Sequence, residues 1–148
     1  MQKYEIILNF APKTEEFMAK VRYLLRNYPL TLLCLALIFF LSLLIRIEES
    51  PLDGVAFVDK WTHFVMYGGS CSVMWWEYLR CHRGRVMWWK LWLYAIIGMT
   101  LLGGVIEIVQ PYFNRSGEWL DFVADTVGVV LGACIGLIIK KVWCPRRA

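Results

Sequence analysis

Four long apolar stretches, each near the length of a membrane-crossing helix, alternate with short charged segments along this chain. The first runs from about Pro29 to Ile45 and carries no charge until Arg46. The others run from about His63 to Leu79, Val86 to Ile108 and Leu120 to Val142. An α-helix needs about 20 residues to cross the hydrocarbon of a bilayer. Backbone groups in lipid must pair within their own segment, so each stretch predicts a helix. Ahead of them, Phe17, Val21, Leu24, Leu25 and Tyr28 recur at helical spacing within residues 13–28. Thr14 is placed as its N-cap, with Glu15 and Glu16 in the first turn. This predicts an amphipathic helix lying in the membrane interface and leading into the first span. The expected architecture is an all-α integral membrane protein. Residues 1–28 form a cytoplasmic amphipathic segment, and residues 29–148 form a four-transmembrane-helix bundle.

Charge sets the expected orientation. Lys3, Lys13, Lys20, Arg22 and Arg26 precede the first span, Arg80, Arg83, Arg85 and Lys90 lie between the second and third, and Lys140, Lys141, Arg146 and Arg147 close the chain. Of the sixteen basic residues only Arg46, Lys60 and Arg115 fall in the other two loops. The positive-inside rule places both termini and the middle loop in the cytoplasm. Tryptophan follows the same division: Trp75, Trp76, Trp88, Trp89, Trp92 and Trp143 are expected at the inner boundary, Trp61 and Trp119 at the outer one.

Composition narrows the class further. A 148-residue chain that is 59% hydrophobic, with a mean hydropathy of +0.51, has more apolar surface than one soluble domain can bury. The net charge of +4 comes from clusters flanking the apolar stretches, so nucleic acid is not expected as a partner. Cys34, Cys71, Cys81, Cys134 and Cys144 form no CxxC pair, which argues against a disulfide framework or a zinc site. No small-residue cleavage pattern follows the first stretch, and a cleavable signal peptide is not expected. Gly68, Gly69, Ser70 and Ser72, then Gly103 and Gly104, then Gly128, Gly132 and Gly136 supply small faces for close helix approach. Packing inside the chain is the expected use, with a homodimer as the alternative.

The polar residues gather at the predicted outer boundary. Asp59 and His63 are four apart at the start of the second span, Glu107 and Gln110 three apart near the end of the third, and Asp121 and Asp125 four apart at the start of the fourth. Each pair shares a helix face. Arg115 lies in the short connection PYFNRSGEW, which makes the last two helices neighbours. An aspartate at mid-membrane costs about 2.5–3.5 kcal/mol, so acids converging from three helix ends need a common reason. His63 suits a proton shuttle whose tautomer Asp59 would fix. Arg115 suits a phosphate or carboxylate. Glu107, Asp121 and Asp125 crowd like charges, which a proton or a cation would relieve. Lys60 would attract an anionic headgroup, or else be a solvated flank.

Plainer readings stand beside these. His63 with Asp59, and Arg115 with Asp121 or Glu107, would serve as ion pairs joining helix ends. Glu77 with Arg80 reads as a snorkelling pair at the inner boundary. His82 reads as solvated, and Glu48, Glu49 and Asp53 as outer-loop charge.

At these residues the chain resembles the VanZ-like family of bacterial membrane proteins. DKWTHF, Asp59 to Phe64, is similar to that family's D-K-x-x-H-F stretch, and EIVQPYFNRSGEWLDFVADTVGVVLG, Glu107 to Gly132, to its E-x-x-Q, Arg, D-x-x-x-N-x-x-G signature. The resemblance implies that Asp59, His63, Glu107, Gln110, Arg115 and Asp121 occupy the family's polar positions, with Gly128 and Gly132 as its trailing glycines. Asp125 stands where the family commonly has asparagine. The family is associated with low-level resistance to the glycopeptide teicoplanin, and the resemblance brings no settled cofactor or mechanism.

Two functions of different class follow as expectations. The first is a cell-envelope protein of the bacterial cytoplasmic membrane whose outer-face pocket binds a lipid headgroup, a lipid-linked wall precursor or a lipoglycopeptide, through Arg115, Gln110, Asp121, Asp125 and Lys60. The second is an intramembrane hydrolase or transferase acting on a phospholipid or polyprenyl phosphate. There His63, Asp59 and Glu107 would be catalytic, and the acids would hold a metal or orient water. A multidrug transporter would need a carboxylate near mid-membrane, and the charge-free first span argues against it.

Overall fold

The computed structural model of the protein describes residues 2–44, 57–82, 87–115 and 117–143, with side chains from Thr14 onward except those of Trp88 and Trp143. Arg46, Glu48, Glu49, Asp53, Arg83, Arg85, Cys144, Arg146 and Arg147 lie outside the described residues. Every described element is helical. α1 spans Gln2–Asn27, α2 Pro29–Leu43 and α3 Val58–Cys81. α4, Trp88–Trp92, continues through a π-helical turn, Leu93–Gly98, into α5, Met99–Val109, and a 3₁₀ turn, Gln110–Phe113; α6 is Trp119–Trp143.

Two of these helical stretches, Trp89–Phe113 and Trp119–Val142, are long and apolar enough to cross a membrane. A third qualifies when Thr14–Asn27 and Pro29–Leu43 are taken together, across a 94° bend. α2 alone has 15 residues, about 22 Å of helix, short of the hydrocarbon thickness. α3 is too weakly apolar to qualify, because tryptophan, tyrosine, glycine, serine and threonine make up much of it beside His63 and Glu77. It is nonetheless the core of the bundle, with Tyr67, Cys71 and Trp75 fully buried. The exterior is apolar, including Leu33, Leu37 and Phe40 on α2, Leu101, Val105 and Ile108 on α5, and Val127, Leu131 and Ile138 on α6. Such an outward-facing band suits lipid rather than water.

Glycine decides the central helix pair. α3 and α6 run side by side in the same direction. A Cβ at Gly128 would strike the Phe64 carbonyl, one at Gly132 the Gly68 carbonyl, and one at Gly136 the Trp75 ring. Backbones this close admit no side chain between them. The Ser72 hydroxyl adds a bond to the Gly132 carbonyl at 3.3 Å. The glycine stripe is thus used inside the chain.

The bend between α1 and α2 has its own device. Tyr28 is the N-cap of α2 but makes no side-chain cap, and Pro29 has no N–H to satisfy. The next two donors, the N–H groups of Leu30 and Thr31, go to the Glu77 carboxylate of α3 at 3.1 and 2.9 Å. The Thr31 hydroxyl donates to it at 2.7 Å. A carboxylate is the favoured partner for the positive end of a helix. On the other side of the bend, the Asn27 carbonyl ending α1 accepts from Arg80 Nη2 at 3.1 Å and Cys81 Sγ at 3.3 Å. Glu77 therefore is no snorkelling residue. It is fully buried, with Arg80 only loosely associated at 3.8 Å.

Three other expectations are corrected. α1 begins at Gln2, so Thr14 is interior rather than an N-cap. Trp75 is core, edge-on to Trp92 with ring centroids 5.6 Å apart, instead of a headgroup-level ring. His82 is half-buried, stacked on Tyr78 at 4.2 Å with Nδ1 3.0 Å from the Tyr78 carbonyl. The π turn places Ala95 fully buried beneath α3, where its carbonyl faces the Cys71 thiol at 3.8 Å. Such a turn leaves carbonyls without their usual i+4 partner.

Candidate functional site

One end of the bundle collects the C-termini of α2 and α5 and the N-termini of α3 and α6. The turn after α5 is made there by Asn114, in the left-handed region at φ 54°, a conformation that asparagine tolerates better than most residues. The Arg115 N–H then reaches back to the Gln110 carbonyl at 3.2 Å. Gln110 Nε2 donates to the Ser42 carbonyl at 3.3 Å, and Arg115 Nη1 to the Leu41 carbonyl at 3.0 Å. Both carbonyls belong to the last turn of α2, which has no intrahelical donor for them. A cation at a helix C-terminus is also favoured by the helix dipole. Gln110 and Arg115 thus dock α2 onto the site.

His63 sits at the centre. It is 2% exposed, and its Nδ1 lies 3.0 Å from Asp125 Oδ1 and 3.7 Å from Glu107 Oε1. Asp125, one turn below Asp121 on α6, is fully buried. It fits because α5 has glycine opposite: a Cβ at Gly103 would lie 2.8 Å from Asp125 Oδ2. Glu107 Oε2 accepts the Glu118 N–H at 3.1 Å, tying the connection to α5. Tyr67 lies one turn beyond His63 with its ring nearly parallel, 7° apart at 6.5 Å between centroids.

A second group surrounds Lys60 nearer the surface. Its Nζ lies 2.6 Å from Glu118 Oε2, 3.0 Å from Asp121 Oδ1 and 3.5 Å from Asp59 Oδ2. Lys60 is therefore neither a solvated flank nor a free headgroup anchor; three carboxylates already surround it. Asp59 is half exposed and turned to Lys60. The imidazole partner expected in Asp59 is instead Asp125, because α6 lies against the His63 face of α3 more closely than Asp59 can fold back along its own helix.

The structure brings His63, Glu107, Gln110, Arg115, Asp121, Asp125 and Lys60 to this end and leaves Asp59 at its rim. Glu118 and Tyr67 belong to it as well. In the sequence Glu118 is one of the outer-end acids with no role of its own, and Tyr67 one apolar residue among many. The spacing of Tyr67 four residues after His63 was the available signal.

Several buried oxygens here have no hydrogen-bond partner: the Tyr67 hydroxyl, Glu107 Oε1, Gln110 Oε1 and Asp125 Oδ2. Each such group costs about 1–3 kcal/mol if left unsatisfied. A group of them at one place marks a spot where water, an ion or a ligand belongs. Chemically, a His–Asp pair can hold or move a proton. Two sets of side chains have the spacing to hold a cation, His63 with Glu107 and Asp125, and His63 with Asp59 and Asp121, their donor atoms lying within 4.8 Å of one another in each set. The chain matches no family model, no curated protein and no solved structure.

Proposed function

We propose that the chain is a VanZ-like protein of the bacterial cytoplasmic membrane, with four transmembrane helices and both termini in the cytoplasm. Its polar cluster, at the outer face, engages the headgroup of a membrane lipid, a lipid-linked wall precursor or a lipoglycopeptide. In this reading α3 is the second span despite its charges, shielded from lipid by α2 and α6. The basic residues Arg80, Lys90, Lys140 and Lys141 face the cytoplasm, at the end opposite His63.

The observation that carries the reading is the set of buried, unpartnered oxygens near His63 at one end of the bundle. Polar groups at such depth are retained when they have something to bind. Expression of the protein is expected to lower teicoplanin susceptibility, and Arg115→Ala to restore it. Unchanged susceptibility in an expressing host counts against the resistance link.

The 3.0 Å contact between His63 and Asp125 favours a second reading, hydrolysis or transfer on a phospholipid or polyprenyl phosphate. His63 would act as general base, with Asp125 in the positioning role that Asp59 does not fill. Incubation of purified protein with radiolabelled lipid phosphates separates the two. Turnover abolished by His63→Ala supports the enzyme, whereas stoichiometric binding without product removes it.

A further inference from the structure

The two halves of the cluster differ in how their negative charge is met. In the outer half the Lys60 ammonium lies within 3.5 Å of Asp59, Glu118 and Asp121. In the inner half Glu107 and Asp125 have, among the described residues, His63 as their ion-pairing partner. One imidazole cannot balance two carboxylates. Glu107 makes the shortfall concrete. Its Oε2 is held by the Glu118 N–H, while Oε1, on a side chain 8% exposed, points towards His63 Nδ1 at 3.7 Å and accepts no hydrogen bond. That separation is too long for a hydrogen bond.

His63, Glu107 and Asp125 nonetheless turn donor atoms to one spot, all within 4.8 Å of one another. Two donor atoms on one ion, each about 2.1 Å from it, stand about 3.0–3.4 Å apart at octahedral or tetrahedral angles. From His63 Nδ1, Asp125 Oδ1 at 3.0 Å already has this spacing, and Glu107 Oε1 at 3.7 Å must move in by about 0.3 Å to reach it. We infer that His63, Glu107 and Asp125 form a binding site for one divalent first-row transition-metal ion, zinc or manganese. The mixed nitrogen and carboxylate donors select this class over calcium, whose sites are built from oxygen. On binding, the imidazolium releases its Nδ1 proton to solvent, keeps the proton on Nε2 and offers the freed Nδ1 lone pair to the ion. Three protein donors leave further positions open, for water or for an oxygen of the headgroup. The inference deepens the headgroup reading and rests on it for what fills those positions. Five acids (Asp59, Glu107, Glu118, Asp121 and Asp125) against Lys60 and Arg115 repel a bare phosphate, and a bound dication reverses that locally.

The test uses full-length protein in detergent, stripped with chelator and titrated with Co²⁺ alone, no lipid substrate present. The expected result is a visible ligand-field band saturating at one ion per chain and displaced by Zn²⁺. Glu107→Gln and His63→Gln are expected to weaken it more than about ten-fold, and His82→Ala to leave the band's shape and the ion's stoichiometry unchanged. Absence of the band, or a band indifferent to both Gln variants, overturns the site. Should those variants not fold, X-ray absorption on the zinc-loaded wild type decides. The chain has two histidines, His63 and His82, so one imidazole bound to zinc, retained in His82→Ala, supports the site, and a shell of oxygen alone overturns it. Headgroup binding that proceeds equally with no ion bound overturns the ion's part in it and leaves the headgroup reading intact.

Discussion

Glu77 accepts the backbone N–H of Thr31 at 2.9 Å, so a carboxylate in the middle of the chain closes the start of a helix 46 residues earlier. Glu77→Ala removes the acceptor for two backbone donors and a hydroxyl in a site closed to solvent. The expected loss is about 2–4 kcal/mol of stability, seen as a lower unfolding temperature in detergent. Cys81, whose thiol bonds to Asn27 on the other side of the bend, should at the same time react faster with a maleimide. Stability equal to wild type would show that the bend does not depend on Glu77.

Glycines on the same pair of helices are expected to behave in opposite ways. Gly132→Ala drives a methyl into the Gly68 carbonyl, whereas a Cβ at Gly69 meets nothing within 4 Å. Gly69→Ala should therefore be neutral or stabilise by about 0.5–1 kcal/mol through helix propensity. Gly132→Ala should destabilise by about 1–3 kcal/mol, as overpacking does. Parallel thermal melts of the two variants check both.

At the site, Asp125→Asn keeps an oxygen to accept from His63 Nδ1, and Asp125→Ala does not. The alanine variant is expected to lose about 3–5 kcal/mol, as when one partner of a buried pair is removed, and the asparagine variant much less. Asp59→Ala, at the exposed rim, should change stability by about 0.5 kcal/mol or less. A larger effect for Asp59 than for Asp125 would reverse the assignment of the imidazole partner.

Gly103→Ala tests the space around the same carboxylate. A methyl there would lie 2.8 Å from Asp125 Oδ2 and 3.3 Å from the Tyr67 ring. The Asp125 carboxylate must shift, and cobalt or headgroup binding should weaken while helical content is retained. Unchanged binding would show that the position of this carboxylate does not matter.

Much of this was legible in the chain and some was not, for reasons that differ by residue. The α5 and α6 apolar stretches announce themselves because lipid-facing and core-facing positions are both apolar, and the glycine repeat of α6 marks a close contact without saying with which helix. Helical spacing brings Glu107 with Gln110 and Asp121 with Asp125 to common faces, which suffices to gather them. The partner of His63 was not legible, because Asp59 is nearer in sequence and Asp125 nearer in space once glycines let α3 and α6 touch. Glu77 beside Arg80 reads as a surface pair, since the donors it serves lie on a helix far away in the chain. Trp75 reads as a boundary ring because composition alone does not distinguish tryptophan at an interface from tryptophan in a core.

The widened turn at Leu93–Gly98 governs more than its own six residues. Leu91, Ala95, Met99 and Gly103 are all buried at four-residue intervals, and in a regular helix each such step overshoots a full turn by about 40°. The looser winding absorbs part of that drift, so the half of the helix near the tryptophans and the half bearing Glu107 can both face inward. It acts as a phase adjustment. Rewinding these residues as a regular α-helix, with none removed, would swing the acids away from the imidazole, whereas deleting one residue at the same time would bring them back.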